Sequence, residues 1–169
     1  GASEPSEVLD GAVIDGWFAP NLTSDLNQGL GEWSVEALAT YLRTGLDEPG
    51  DADGAPRTAA IGPMAEVVHD SLSKLALSDL RAIAVYLKDM PAAEAPAPRP
   101  SAAAEAPQPG GTLYQRYCSG CHQRYGQGIA PYFPALRGNP AVMLEQPEDV
   151  VEAILLGAPA DPAEAYSEH

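Results

Sequence analysis

The chain has 169 residues and carries 9 Lys and Arg against 24 Asp and Glu, a formal net charge of −15. Such a length allows one ordinary domain or two small ones. The acidic surplus excludes a nucleic-acid binder and a polybasic membrane-surface protein, both of which need clustered Lys and Arg. Ala inflates the 45% hydrophobic content and aromatics reach only 7%, so any core is small, while 17 Pro and 16 Gly point to much loop and linker.

No run approaches the roughly 18–20 apolar residues of a membrane span. The opening stretch GASEPSEVLDGAVIDGW lacks a basic segment followed by an apolar one, so no signal peptide is visible. The expectation is a cytosolic chain, or a mature or excised piece of an exported one.

In chain order, residues 16–32 show no period and many turn formers, and no strand alternation is visible. The stretch WSVEALATYLRTG (33–45) places Val35, Leu38, Ala39 and Leu42 on one helical face, with Ser34 as N-cap and Gly45 as the stop. Residues 46–63 read as loop. SDLRAIAVYLKDMP (78–91) repeats the helical grammar: Ser78 caps it, Leu80, Ile83, Ala84 and Leu87 form the stripe, and Pro91 ends it.

The segment PAAEAPAPRPSAAAEAPQPGG has no large apolar side chain, and its recurrent prolines forbid an Ala-rich helix. Residues 91–110 therefore read as a semi-rigid Pro/Ala-rich linker between a unit over 1–90 and a unit over 111–169. The second unit offers a helix at 111–118, a Gly/Pro-rich stretch at 126–140, and a helix near 147–156 with Val150, Val151, Ile154 and Leu155 as its stripe. The expected fold class is all-α with long loops. Units this small usually need a staple or a cofactor core, and a large apolar prosthetic group would supply one.

Cys118-Ser119-Gly120-Cys121-His122 is the c-type haem attachment pattern. Two thiols separated by two residues can each add to one vinyl group of the same porphyrin, and the adjacent His122 supplies the proximal iron ligand. A thioredoxin-type dithiol would follow a strand in a βαβ unit, which is not evident here. A structural zinc site needs two more ligands, and His69 and His169 are both remote in sequence.

With the preceding GTLYQRYC and the following GQGIAPYFPALRGNP, this region resembles class I cytochrome c units. The resemblance implies that Pro134 lends its carbonyl to the His122 imidazole; a simple turn is the alternative. The first unit has no CxxCH. Yet APNLT (19–23), GLGEWS (29–34), TYLRTG (40–45), GPMAEVV (62–68) and DLRAIAVYLKDMP (79–91) follow one another as in the multihaem cytochrome c subunits of membrane-bound alcohol, aldehyde and gluconate dehydrogenases, which string three such units together.

That resemblance carries the remaining expectations. The chain would hold two incomplete cytochrome c units: most of a second unit, whose CxxCH lies before residue 1, and the front of a third, which lacks its closing Met and helix. Met64 would be the distal sulfur ligand of a second haem, in the first unit. Met143 falls earlier than the family's ligand position and reads as core, with a ligand role as the alternative; His169 reads as a chain end. The sixth ligand of the haem on Cys118 and Cys121 would lie outside the chain. Trp17 and Trp33 read as haem-crevice or packing residues, and His69 as a surface residue that a propionate could reach.

The implied function is electron transfer through covalent haem c, from a periplasmic dehydrogenase catalytic subunit toward quinone or a terminal oxidase. No catalytic residue is expected in the chain itself. Membrane association would come through partners or segments outside the chain. The competing readings are a soluble stand-alone c-type cytochrome, a haem-bearing peroxidase, and a non-haem dithiol redox or metal-binding protein.

Overall fold

A computed structural model describes residues 9, 11–26, 29–47, 58–92, 109–130, 132–144 and 146–157. Most of the expected linker, the residues near 48–57, and the C-terminal tail with His169 lie outside the described residues.

The chain opens on a β-hairpin, β1 (Ala12–Ile14) against β2 (Trp17–Ala19), with Ala12 opposite Ala19 and Ile14 opposite Trp17. This corrects the all-α expectation. Asp15 and Gly16 at the tip have φ of 51° and 87°, and two consecutive positive φ values make the turn that matches strand twist.

Helix α1 (Val35–Thr44) carries both expected caps. The Ser34 hydroxyl accepts the Ala37 N–H at 2.9 Å, and Gly45 stops the helix at φ 73° in the left-handed region. Helix α2 (Pro63–Asp70), for which no helix was expected, begins on the last residue of the expected loop; it starts on a proline, whose missing N–H costs nothing in a first turn. A 3₁₀ turn (Leu72–Lys74) leads into α3 (Leu77–Asp89). Ala76 rather than Ser78 occupies the N-cap, because the chain leaves the 3₁₀ turn already extended through Leu75 and Ala76.

Helices α1 and α3 pack face to face, burying Leu38, Ala39, Leu42, Leu80 and Ala84 together with Leu30. A second small cluster of Ala60, Ala65 and Val68 lies under α2, and Met64 touches both clusters. At the surface Arg81 makes a forked ion pair with Glu36 across the α1–α3 seam (2.8–3.0 Å). Lys88 donates to the carbonyls of Leu30 and Gly31 at 2.8 and 2.7 Å, tying the 29–33 loop to α3.

The C-terminal part comprises α4 (Pro109–Tyr117), the single turn α5 (Ser119–His122), the short α6 (Pro140–Met143) and α7 (Glu148–Leu156). The expected stripe of α7 does not form a core: Val151, Ile154 and Leu155 are exposed, and the buried residue is Asp149. Its Oδ1 accepts the Phe18 N–H at 2.7 Å, which docks α7 onto the hairpin.

One backbone turn occurs twice. Leu22 N–H donates to Leu9 O at 2.8 Å, and Leu136 N–H donates to Gly126 O at 2.8 Å. Inside each bond sits an antiparallel pair, Ala12 with Ala19 in one and Ile129 with Phe133 in the other. Each turn passes a positive-φ glycine, Gly11 or Gly128, against the carbonyl oxygen of the later strand residue, so that a Cβ would strike Ala19 O or Phe133 O.

Candidate haem site

Helix α4 delivers the motif. Cys118 N–H donates to Tyr114 O at 2.9 Å and His122 N–H to Cys118 O at 2.9 Å, so Cys118, Cys121 and His122 share one continuous turn. Spacings of three and four place the three side chains on one face. Both cysteines are free thiols, Cys118 half-buried and Cys121 exposed.

The His122 Nδ1 lies 3.0 Å from Pro134 O. A carbonyl can only accept, so Nδ1 must carry the proton and Nε2 keeps its lone pair for a metal. Phe133 stands edge-on to the imidazole, with ring centroids 6.1 Å apart. The loop that brings Pro134 back depends on Gly128: its φ is 76°, and a Cβ there would lie 2.8 Å from Ala135 N. Gly128 N–H in turn donates to His122 O at 3.1 Å. Asn139, buried, closes the far end by donating to Ala135 O at 3.1 Å and accepting from Ala141 N–H at 3.0 Å.

Residues absent from the sequence reading complete the frame. Tyr114 Oη donates to Gln123 O at 2.6 Å and Gln115 Nε2 to Arg124 O at 3.1 Å. Partial burial, and then the neighbouring Cys118, push the Tyr114 hydroxyl above its ordinary value, which keeps it a donor. No periodicity or motif marks these two residues; only their position one turn before Cys118 could have drawn attention to them.

An open groove of about 560 Å³ runs along Gln123, Gln127, Gly128, Ile129 and Ala130. Leu113, Tyr117, Tyr132, Met143, Ile154 and Leu155 stay exposed in this half of the chain. Two thiols and an Nε2 lone pair on one turn are the donor set that a covalently attached haem requires. Among the described residues no cluster of three or more His, Cys, Asp and Glu is placed to hold a metal ion.

The other expected residues fall elsewhere. Met143 ends α6 at 64% exposure, which corrects the core reading: α6 is a single turn that, among the described residues, buries none of its side chains. Met64 sits in the first turn of α2, half-buried between the two clusters of the N-terminal part. The Trp17 ring lies over Gly62, where a Cβ would be 2.5 Å from the indole; Trp17, Gly62 and Met64 thus form one corner. Trp33 packs edge-on to Tyr41, with ring centroids 5.5 Å apart, and contributes to the α1–α3 core. His69 is half-buried, its Nδ1 2.8 Å from Asp70 Oδ1. Tyr41, enclosed in the same region, has its hydroxyl pushed up to about 12 by burial and then by Asp47 and Asp149. Among the described residues no helix is long and apolar enough to cross a membrane.

Comparison with known proteins agrees with this geometry. The cytochrome c family model matches residues 107–162. The chain is 35% identical over 176 residues to the cytochrome c subunit of alcohol dehydrogenase (quinone) from Gluconacetobacter polyoxogenes, covering 96% of this chain and 35% of that one. It is 32% identical over 179 residues to the fructose dehydrogenase cytochrome subunit of Gluconobacter japonicus, covering 92% and 35%. It is 33% identical over 156 residues to the gluconate 2-dehydrogenase cytochrome c subunit of Pantoea cypripedii, covering 86% and 34%. The chain therefore spans about a third of the length of these relatives. With CxxCH on one helical turn, residues 107–162 form a cytochrome c domain, and the chain is similar along nearly its whole length to the cytochrome c subunits of dehydrogenases.

Proposed function

We propose that the chain relays electrons through covalently bound haem c, as part of a cytochrome subunit that serves a dehydrogenase. The observation that carries this reading is the His122 imidazole, tied through Nδ1 to Pro134 O and left with a free Nε2 beside two thiols. Cys118 and Cys121 would form the thioether links and His122 the proximal bond. When bound, haem supplies a one-electron couple; the protein contributes ligand identity, burial and position rather than bond-making chemistry.

The finer reading is two cytochrome c-like units, over 1–90 and 111–169, joined by the 91–110 linker. The recurrence of one turn geometry, Leu9–Leu22 and Gly126–Leu136, supports it, because unrelated loops have no reason to share a bond, a bridge and a positive-φ glycine. Pro20 then stands in the first unit where Pro134 stands in the second, each two residues before the leucine that closes the turn. Met64, at the start of α2, is the corresponding distal sulfur for a second haem, whose attachment motif is not in these residues. Met143, exposed beside the C-terminal site, is a weaker candidate for that role.

The partner is a dehydrogenase catalytic subunit, which the names of the relatives support. The acceptor is quinone or a downstream oxidase, and the compartment is the bacterial periplasm, at the membrane through partners or segments outside this chain.

The test is expression with a working periplasmic haem-attachment system, followed by intact mass measurement. One covalent haem on Cys118 and Cys121, resistant to acid acetone, is the expected product. Replacing both cysteines by serine should abolish it, and His122→Ala should leave the thioethers but alter the ferric spectrum. Thiols that remain free under those conditions would falsify the reading.

A further inference from the structure

Two consecutive side chains of α4 reach two consecutive carbonyls immediately after the proposed iron ligand. Tyr114 Oη donates to Gln123 O at 2.6 Å, and Gln115 Nε2 donates to Arg124 O at 3.1 Å. Ser119 Oγ donates to Gln115 O at 2.7 Å, fixing the end of the same helix. The turn they hold is strained: Gln123 has φ 65° and ψ 167° without being glycine. Side chains rarely adopt that region, and such residues persist only where surrounding bonds over-determine them.

What depends on this turn is the next layer of bonds. Beyond Gln123 the chain must double back so that Gly128 N–H meets His122 O at 3.1 Å and Pro134 O meets His122 Nδ1 at 3.0 Å. Were Gln123 to relax to negative φ, the loop would leave along another path and both bonds would lengthen. The backbone of His122 and the plane of its ring are therefore set from the far side, by α4.

We infer that Tyr114, with Gln115 beside it, is a positioning residue that clamps the strained Gln123 turn and thereby fixes the orientation of the His122 imidazole. The inference rests on the haem reading above for its consequence, but not for its geometry. Since the clamp works by enforcing a backbone conformation that only glycine adopts freely, glycine at position 123 should make the hydroxyl dispensable.

The experiment compares Tyr114→Phe, Tyr117→Phe and Gln123→Gly in the full haem-loaded chain, with the double variant Tyr114→Phe/Gln123→Gly. Two readouts are taken: amide hydrogen exchange at Gly128, and the pattern of hyperfine-shifted haem methyl signals in the ferric protein, which follows the azimuth of the axial imidazole. Tyr114→Phe should speed Gly128 exchange about fivefold, the weight of one neutral hydrogen bond, and change the methyl pattern. Tyr117→Phe, at a tyrosine that is 69% exposed on the same helix, should do neither. In the Gln123→Gly background the effect of Tyr114→Phe should fall below about twofold. The inference is overturned if Tyr114→Phe leaves both readouts unchanged, or if its effect is undiminished beside Gln123→Gly. A chain that matures without covalent haem overturns the functional reading instead, and the Gly128 exchange rate still judges the clamp.

Discussion

Replacing Gly62 by alanine should disturb the Met64 corner through two separable effects. Gly62 has φ 52° and ψ −139°, a region almost reserved to glycine and costing any other residue about 1–3 kcal/mol. The added methyl would also lie 2.5–2.7 Å from three atoms of the Trp17 indole, so the ring must move; overpacking of that kind costs about 1–3 kcal/mol. Together the expected loss is about 2–6 kcal/mol, on the order of a 4–24 °C fall in Tm for a chain of this size. The assay is urea unfolding followed by far-ultraviolet circular dichroism, run as a double-mutant cycle with Trp17→Ala. Since Trp17→Ala removes the collision but not the backbone strain, Gly62→Ala should still cost about 1–3 kcal/mol in its presence, with the remainder appearing as coupling. Strict additivity of the two substitutions would refute the contact; a loss that vanishes altogether beside Trp17→Ala would refute the strain.

Perturbations at three further residues test other parts of the fold. Burial first, and then Glu148, raise the Asp149 carboxyl above its ordinary value despite the Phe18 N–H bond, so ionisation costs more in the folded chain than in the unfolded one. Its contribution is therefore fullest below the normal carboxylate range and declines as pH rises through the raised pKa; the free energy of urea unfolding should fall over that rise, and Asp149→Asn should flatten the profile. Asp149→Leu should cost about 1–3 kcal/mol by leaving the Phe18 N–H without an acceptor, measured by urea unfolding. Ser34→Ala removes the cap on the Ala37 N–H and should cost about 1 kcal/mol, seen as lower helicity and Tm. Leu80→Ala, at a side chain with no exposure in the α1–α3 seam, should cost about 2–5 kcal/mol in the same assay.

Features written in local chemistry were legible before the structure. The caps of α1 follow from Ser34 and Gly45 alone, and the haem turn follows from thiols three residues apart with histidine next. The α2 start was legible too, had Pro63 been taken as a first-turn proline rather than a loop residue. So was the hairpin, since Asp15-Gly16 between Val13-Ile14 and Trp17-Phe18 is a turn signal that outweighs two short strands. What sequence could not supply are bonds whose partners lie far apart. Asp149 sits in a helix whose pattern puts Ile154 and Leu155 inward, yet it is the residue buried, because its acceptor oxygen meets a backbone N–H 131 positions away. The clamp from Tyr114 to Gln123 is closer in sequence, but depends on a backbone conformation that no propensity assigns to glutamine.

The turn that occurs twice differs at its tip. In the later turn the bridge from Ile129 to Phe133 spans three residues; in the earlier one the bridge from Ala12 to Ala19 spans six, with the base of the turn unchanged. Lengthening a loop at its tip is tolerated because closure entropy grows slowly with length. Here the longer tip is an arm that holds both Trp17 over Gly62 and Phe18 against Asp149. The hairpin thus serves as a brace between the start of α2 and α7, at little entropic cost to the turn beneath it.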